Sequence, residues 1–314
     1  MILIVTSRPD YTADWLILEL TRRDIPFVRF NTEDYPSSTR VRWTDADSAS
    51  LEFSGRALDL ADVHSVWYRR PTPPVLPPNL SGGRAAWAAA ESREALDGLW
   101  RTLDARWVNH PDRNRLADSK PEQLRRARKL GFVVPASLVT NDPQRVRDFV
   151  AAHPSGVICK PLFSGRIELD GGTHLFFTTL LDGDAVAGLE DLGPEPYLFQ
   201  ALVPKRYDVR VTVIGDDALA ARIDSQSSST SEVDWRRGDT AELTHDVEAL
   251  PDDIAGKCIE LVRSYGLLFG AIDLAFTDEG YVFFEINPNG QWAWLEQRTD
   301  LPLRQRLADL LSEP

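Results

Sequence analysis

Short apolar runs alternate with amphipathic stretches over the first third of the chain. Ile2–Thr6 is an unbroken apolar run, the pattern of a strand buried on both faces. Residues 12–23 place apolar side chains at helical spacing. Residues 26–30 and 65–69 predict two further strands, the latter ended by Pro71. The proline- and glycine-rich residues 71–83 predict a loop, 85–103 a helix, and 106–109 a closing strand. Strands alternating with helices predict an α/β unit with a parallel sheet over residues 1–112. No GxGxxG follows the first strand, so no dinucleotide site is expected there.

Beyond this unit the elements predict mixed α+β subdomains. A long charged helix is expected over 112–130, stopped at Gly131, then a strand over 133–139. Residues 142–152 predict a helix with Pro143 in its first turn, and 156–160 a strand. The glycine-rich residues 164–172 predict a turn before a strand over 173–180. Residues 197–224 and 267–287 are strand-rich, with a helix over 250–265 between them. The expected divisions are 1–112, 113–199 and 200–314.

Composition narrows the function. Charged residues make up 26% of the 314 residues and hydrophobic ones 43%, an ordinary globular balance. No apolar run approaches a membrane span, and the apolar start lacks a basic flank, so a cytoplasmic protein is expected. A net charge of −13 argues against a nucleic-acid partner. It also means that any site for an anionic ligand must be locally positive. The cysteines, Cys159 and Cys258, match no metal or redox spacing, and the five histidines form no zinc motif. Only five basic residues are lysines: Lys120, Lys129, Lys160, Lys205 and Lys257.

The densest chemistry lies in residues 269–290. Two apolar runs flank Asp278-Glu279-Gly280, the pattern of a hairpin with a three-residue loop. With Thr277 opposite Tyr281, Asp273 falls opposite Glu285, and strand alternation puts Asn287 on the same face. Two carboxylates converging on an apolar sheet repel each other unless a hard cation such as Mg²⁺ lies between them. The alternative is an exposed edge hairpin whose acids face water.

Other segments supply positive charge. Val157-Ile158-Cys159-Lys160 is an apolar strand ending in an ammonium, suited to a phosphate or simply snorkelling to solvent. Lys120 stands near the start of its helix, where a cation opposes the macrodipole. Tyr207 to Val213 alternates, with Asp208 and Arg210 on one face, and Arg222 lies on the returning strand. The arginines read as a phosphoryl clamp or as a solvated face. The segment Gln200-Ala201-Leu202 reads as a purine-holding hinge or as plain strand core. Residues 225–231 with Asp234-Trp235-Arg236 read as a substrate loop or a linker.

Taken in order, these pieces resemble the ATP-grasp superfamily across nearly the whole chain. They are nearest to the branch holding the ribosomal-protein glutamate ligase and, within it, the graspetide (microviridin-type) peptide maturases. The strings that carry the resemblance are Val66-Trp67-Tyr68-Arg69-Arg70-Pro71, Trp107-Val108-Asn109-His110-Pro111, Tyr207-Asp208-Val209-Arg210-Val211-Thr212-Val213 and Glu285-Ile286-Asn287-Pro288-Asn289-Gly290-Gln291-Trp292.

The resemblance implies an N-terminal pre-ATP-grasp domain and two subdomains clasping ATP. It implies Lys120 and Lys160 at the ATP phosphates, Gln200, Ala201 and Leu202 at adenine, and Asp208 at the ribose. Asp273, Glu285 and Asn287 would ligate Mg²⁺, while Arg210 and Arg222 would stabilise the acyl phosphate. The implied reaction joins an Asp or Glu side chain of a ribosomal precursor peptide to a Ser/Thr hydroxyl or a Lys amine, with a homodimer as the assembly. Ala201 departs from the Glu found in many relatives. No phosphate ligand is assigned within 163–172. A ligase for a small amino acid, or one adding glutamate to a protein, would share the nucleotide site. A non-catalytic nucleotide-binding regulator would not require the full set of charges.

Overall fold

A computed structural model describes residues 1–45, 48–53, 55–163, 166–169, 172–237 and 242–313. By its internal contacts the chain divides into two units. The first holds Met1–Asn114, Tyr265–Gly270 and Pro288–Pro314, and the second holds Arg115–Ser264 and Ala271–Asn287. Residues 265–270 and 288–314, placed by the sequence reading in its third division, therefore group with the N-terminal residues.

The first unit is built on β1 (Ile2–Thr6), α1 (Tyr11–Arg22), β2 (Phe27–Asn31), β3 (Thr39–Thr44), β4 (Ser48–Phe53), β5 (Arg56–Asp59), β6 (Ser65–Tyr68), α2 (Gly82–Thr102), β7 (Arg106–Val108) and α3 (Pro111–Ala117). The expected parallel sheet is present, with strand order β2-β1-β6-β7. Its central strand β1 is buried along its whole length, as an unbroken apolar run requires. Asp10 starts α1 by accepting from the amides of Thr12 and Ala13 at 3.1 and 3.2 Å. Leu3, Val5, Phe30, Val66, Leu99 and Trp100 share one core cluster. An antiparallel sheet, β3-β4-β5, was not expected from the sequence.

The second unit begins with α4 (Lys120–Lys129), β8 (Ser137–Thr140), α5 (Pro143–Ala152), β9 (Val157–Lys160), β10 (Arg166–Leu169), β11 (Gly172–Leu175), β12 (Thr179–Leu180), α6 (Gly183–Ala187) and β13 (Tyr197–Ala201). It continues with β14 (Tyr207–Ile214), β15 (Asp217–Ile223), β16 (His245–Glu248), α7 (Asp252–Ser264), β17 (Phe269–Thr277) and β18 (Gly280–Asn287). Its larger sheets have the orders β12-β9-β13-β8 and β16-β15-β14-β17-β18, and β10 pairs with β11. The chain then adds α8 (Ala293–Thr299) and α9 (Leu303–Ser312) to the first unit.

Proline accounts for two departures from expectation. The single helix expected over 112–130 is α3 followed by α4, with Pro121 in the first turn of α4, where its missing N–H costs nothing. The strand expected from Val133 starts only at Ser137, because Pro135 has no amide to give a ladder. Val133 instead makes an isolated bridge to Val282. The strand expected over 173–180 is two strands in different sheets, β11 and β12. The turn expected over 164–172 lies outside the described residues apart from β10 and the start of β11. Among the described residues no helix is long and apolar enough to cross a membrane.

Candidate active site

The site is assembled on the sheet containing β14, β17 and β18. Alternation along β14 sends Asp208, Arg210 and Thr212 to one face, and all three are buried. Arg210 Nη1 donates to Asp273 Oδ1 on β17 at 2.7 Å, an ion pair almost closed to solvent. Asp208 pairs with Lys205 at 2.7 Å. Burial raises the pKa of Asp208, and the Lys205 ammonium works against that rise.

The hairpin of β17 and β18 reverses through Asp278 and Glu279, with Thr277 paired to Gly280 rather than to Tyr281. Gly280 has φ +111°, a backbone conformation that suits glycine. The pairing stays regular to Leu274↔Phe283 and then shifts, so that Asp273 opposes Glu285 and Phe284 is the extra residue of a bulge. Phe284 and Glu285 consequently both line the same cavity. Asn287 follows at the pair with Ala271, on the Glu285 face by alternation.

Gln123 fixes this strand to α4. Its side-chain amide donates to Ile286 O at 2.9 Å, and its carbonyl accepts from Ile286 N at 3.2 Å. Lys120, one turn earlier, is thereby carried to 3.6 Å from Glu285, while its Nζ donates to Pro161 O at 3.0 Å. A carboxylate partner offsets the unfavourable start-of-helix position of this cation. Lys160, at the end of β9, lies 5.0 Å over the Phe284 ring, and Lys205 lies 5.8 Å from the same ring.

The remaining charge comes from the segment after β15. This segment is folded on itself: Ser231 Oγ donates to Ser225 O at 2.7 Å, and Gln226 Nε2 donates to Glu232 O at 3.1 Å. Asp234 and Trp235 are buried. Arg236 Nη2 donates to Glu285 Oε1 at 2.9 Å and also to Asp273 Oδ2. One guanidinium nitrogen therefore bridges the two carboxylates.

The electrostatics follow from this crowding. Burial pushes the Glu285 carboxyl up, but Arg236, Lys120 and Lys160 outweigh it and hold the group well below the usual carboxylate range. Burial lowers Lys160 to about 8, with Glu285 opposing the fall. Burial also disfavours the charge on Arg236, yet Asp273 and Glu285 hold its proton more tightly than usual.

The cavity wall opposite the acids comes from β13 and its continuation, Gln200 to Val203. Gln200 Nε2 donates to Ser137 Oγ at 3.0 Å. The amides of Ala201 and Leu202 donate to Ala136 and Gly156, both at 2.9 Å. Gly156, at φ +116°, permits the close approach of Leu202, since a Cβ there would stand 3.2 Å from Leu202 Cδ2.

The chain was compared with known proteins. The family model described as the MvdD pre-ATP grasp domain matches residues 1–115. The structure of a Chryseobacterium gregarium RiPP-associated ATP-grasp ligase in complex with ADP and a leader and core peptide is 31% identical, with a TM-score of 0.90, over 100% of this chain and 97% of that one. The chain belongs to the RiPP-associated ATP-grasp ligases. Macrocyclase MdnC of Microcystis aeruginosa MRC, solved with precursor peptide MdnA, is 28% identical over 99% of both chains, with a TM-score of 0.88. Macrocyclase MdnB of the same organism is also 28% identical, over 100% of this chain and 99% of that one, with a TM-score of 0.83. No curated protein matches the chain.

Of the residues expected in the ligase site, the structure gathers Lys120, Lys160, Gln200, Ala201, Leu202, Asp208, Arg210, Asp273 and Glu285 around one cavity or its acid pair. Arg222 is a correction. It pairs with Val209, whereas Arg210 pairs with Ala221, so the two arginines face opposite sides of the sheet. Arg222 stacks 4.1 Å over the Tyr207 ring, away from the acids. The second arginine at the ligase acids is Arg236. Gln123, Lys205 and Phe284 were also missed. The segment holding Arg236 had been noted in the sequence, but it has no periodicity from which a side-chain direction could be read.

The donors fit a hard cation. Among the described residues no group of three His, Cys, Asp or Glu converges. The oxygens at the cavity are those of two carboxylates, with Asn287 two residues further along β18 on the Glu285 face. That is the sparse protein share typical of Mg²⁺ in phosphate sites, where phosphate and water complete the shell.

Proposed function

We propose that this ligase uses ATP to activate an Asp or Glu side chain of a ribosomally made precursor peptide. It then closes that acyl group onto a Ser/Thr hydroxyl or Lys amine of the same peptide. The observation that carries this reading is the opposed pair Asp273 and Glu285, set among Arg210, Lys120 and Arg236 in a cavity walled by Gln200 to Val203. The relatives whose structures hold a precursor or a leader and core peptide support the substrate class.

A carboxylate is a poor electrophile. In the first step its oxygen attacks the γ-phosphorus of ATP, the β–γ bridging bond breaks, and ADP leaves. In the second, the hydroxyl or amine attacks the acyl carbon. The carbon–oxygen bond to phosphorus then breaks, phosphate departs with the electron pair, and the nucleophile's proton passes to phosphate or solvent.

Lys160 and Lys120 would bind the phosphates, the Gln200–Leu202 segment would flank the purine, and Asp208 would meet the ribose. Arg210, fixed by Asp273, would present its guanidinium to the transferring oxygens without reorganisation. Asp273, Glu285 and Asn287 would hold Mg²⁺, which when bound neutralises the β- and γ-phosphate oxygens. Closure of the cavity would keep water from the activated acyl group.

Incubation with ATP, Mg²⁺ and a short Thr- and Asp/Glu-rich peptide encoded beside the gene tests this reading. Mass spectrometry should show one water lost per ring, and ADP release should depend on the peptide. ADP release stimulated by a free amino acid, with no change in peptide mass, would replace it with the small-substrate ligase.

A further inference from the structure

We infer that Arg236 and the divalent cation compete for Asp273 and Glu285, so that the ligase admits the metal only together with nucleotide phosphates that draw this guanidinium away. The inference rests on the metal-site reading above. It adds a charge-exchange role for a residue in the short 3-10 turn Trp235–Arg237.

The geometry is one of shared ligands. A single nitrogen, Arg236 Nη2, bonds both Asp273 Oδ2 and Glu285 Oε1, and these are oxygens a cation would need. Charge points the same way. Arg236, Lys120, Lys160 and Arg210 all act on Glu285, and with Asp234 3.5 Å from Arg236 the set is four cations beside three carboxylates. A dication added to that set alone would meet net repulsion. A triphosphate supplies the missing negative charge, and the displaced guanidinium then has phosphoryl oxygens to bind, a geometry its planar fork matches.

The segment is built for a side chain that turns while its backbone stays. Asp234 Oδ1 accepts from the Arg236 amide at 3.1 Å, and Asp234 Oδ2 accepts from the Thr178 amide at 3.4 Å. Trp235 is buried, with the Arg236 guanidinium 5.0 Å over its ring. The Arg236 side chain keeps 40% of its surface exposed, against 5% for Arg210, which is buried beside the same carboxylate. Arg210 is the fixed counter-ion of Asp273 and Arg236 the exchangeable one.

The test is direct binding of Mn²⁺, followed by loss of the free-ion electron paramagnetic resonance signal, to the whole enzyme and to Arg236→Gln, with and without ADP. Without nucleotide, Arg236→Gln should bind Mn²⁺ at least about tenfold more tightly than the parent, the scale of one close charge pair. With ADP the difference should shrink to about threefold or less. Adding Glu285→Gln to Arg236→Gln should abolish the gain. Equal nucleotide-free affinities would overturn the inference and leave the metal site standing, whereas a gain that survives Glu285→Gln would overturn the inference and take Glu285 out of the metal site. Absence of Mn²⁺ binding even with ADP would remove the metal reading and the inference together. If melting shows Arg236→Gln to be unfolded, Arg236→Lys replaces it. Its ammonium ends one atom short of the position of Nη2 and cannot reach both carboxylates from the same backbone, so several-fold tighter Mn²⁺ binding is expected, and an unchanged affinity would overturn the proposal.

Discussion

Asp273 stands directly across from Glu285, and a bulge at Phe284 is what aligns them. With regular pairing carried on from Leu274↔Phe283, Asp273 would oppose Phe284, and Glu285 would point to the other side of the sheet. The extra residue returns Glu285 to the cavity face and leaves Phe284 there as well, under Lys160. One local irregularity therefore brings an acid pair and an aromatic floor to the same side.

The acid pair should be indispensable to turnover. Asp273→Asn and Glu285→Gln are each expected to lower peptide-dependent ADP release by more than about a hundredfold; Glu285→Gln should melt close to the parent, and Asp273→Asn lower, because it leaves the buried Arg210 without its counter-ion. Full activity in either variant would sink the metal assignment.

The two arginines expected from the sequence should behave differently. Arg210→Lys keeps a charge but loses the fork held by Asp273, and kcat should fall by about 10²–10³. Arg222→Ala removes only a stack on Tyr207, and kcat should stay within about twofold, with a stability cost under about 1 kcal/mol. A collapse of kcat in Arg222→Ala would reverse the correction made from the strand pairing.

Phe284→Ala removes the ring beneath Lys160 and Lys205 without touching a carboxylate. Calorimetric titration should show ADP binding weakened by about tenfold, the scale of a lost cation–π and packing contact. Mn²⁺ affinity measured with saturating ADP should be unchanged. Loss of metal binding in this variant would mean that Phe284 shapes the acid pair itself.

Nucleotide affinity should depend on the protonation of Lys160. Burial lowers its pKa to about 8, and only the ammonium form pairs with phosphate. ADP affinity should be flat below that pH and fall by up to about tenfold per unit above it. Lys160→Arg should stay flat, because arginine keeps its proton throughout. The nucleotide-free protein should show the opposite slope. Between about 8 and 10.5 the unfolded chain retains a proton that the folded chain has lost, so this residue's contribution to stability rises with pH. An ADP affinity in the parent that is level past pH 9, on the order of one unit above the midpoint, would remove Lys160 from the phosphate site.

Much of the site could be read from residue order because strand alternation is a local property. Asp208 and Arg210 on one face, Lys160 at the end of an apolar strand, and acids on a closing hairpin all follow from side chains pointing alternately along a pleat. Even the Asp273–Glu285 register was anticipated, though from a longer turn than the one present. The shorter turn and the bulge offset each other by one residue, and spacing alone cannot separate the two arrangements. Lys205 and Gln123 carried no such pattern. Gln123 acquires its position from Ile286, distant in sequence, while Lys205, in the link between β13 and β14, is held by its ion pair with Asp208.

The amino-acid sequence by itself determined the strand and helix pattern, the hairpin that carries the acids, and the charge inventory of the cavity, because periodicity and turn chemistry act over a few neighbouring residues; the ATP-grasp plan came from the resemblance of its motifs to that superfamily. Tertiary structure decided which arginines meet those acids. Arg222 is turned away by its pairing with Val209, and Arg236 is brought in by a segment held through Asp234 and the buried Trp235. The facing of a cross-strand neighbour depends on register between separate strands, and an aperiodic segment has its direction set only by what it packs against.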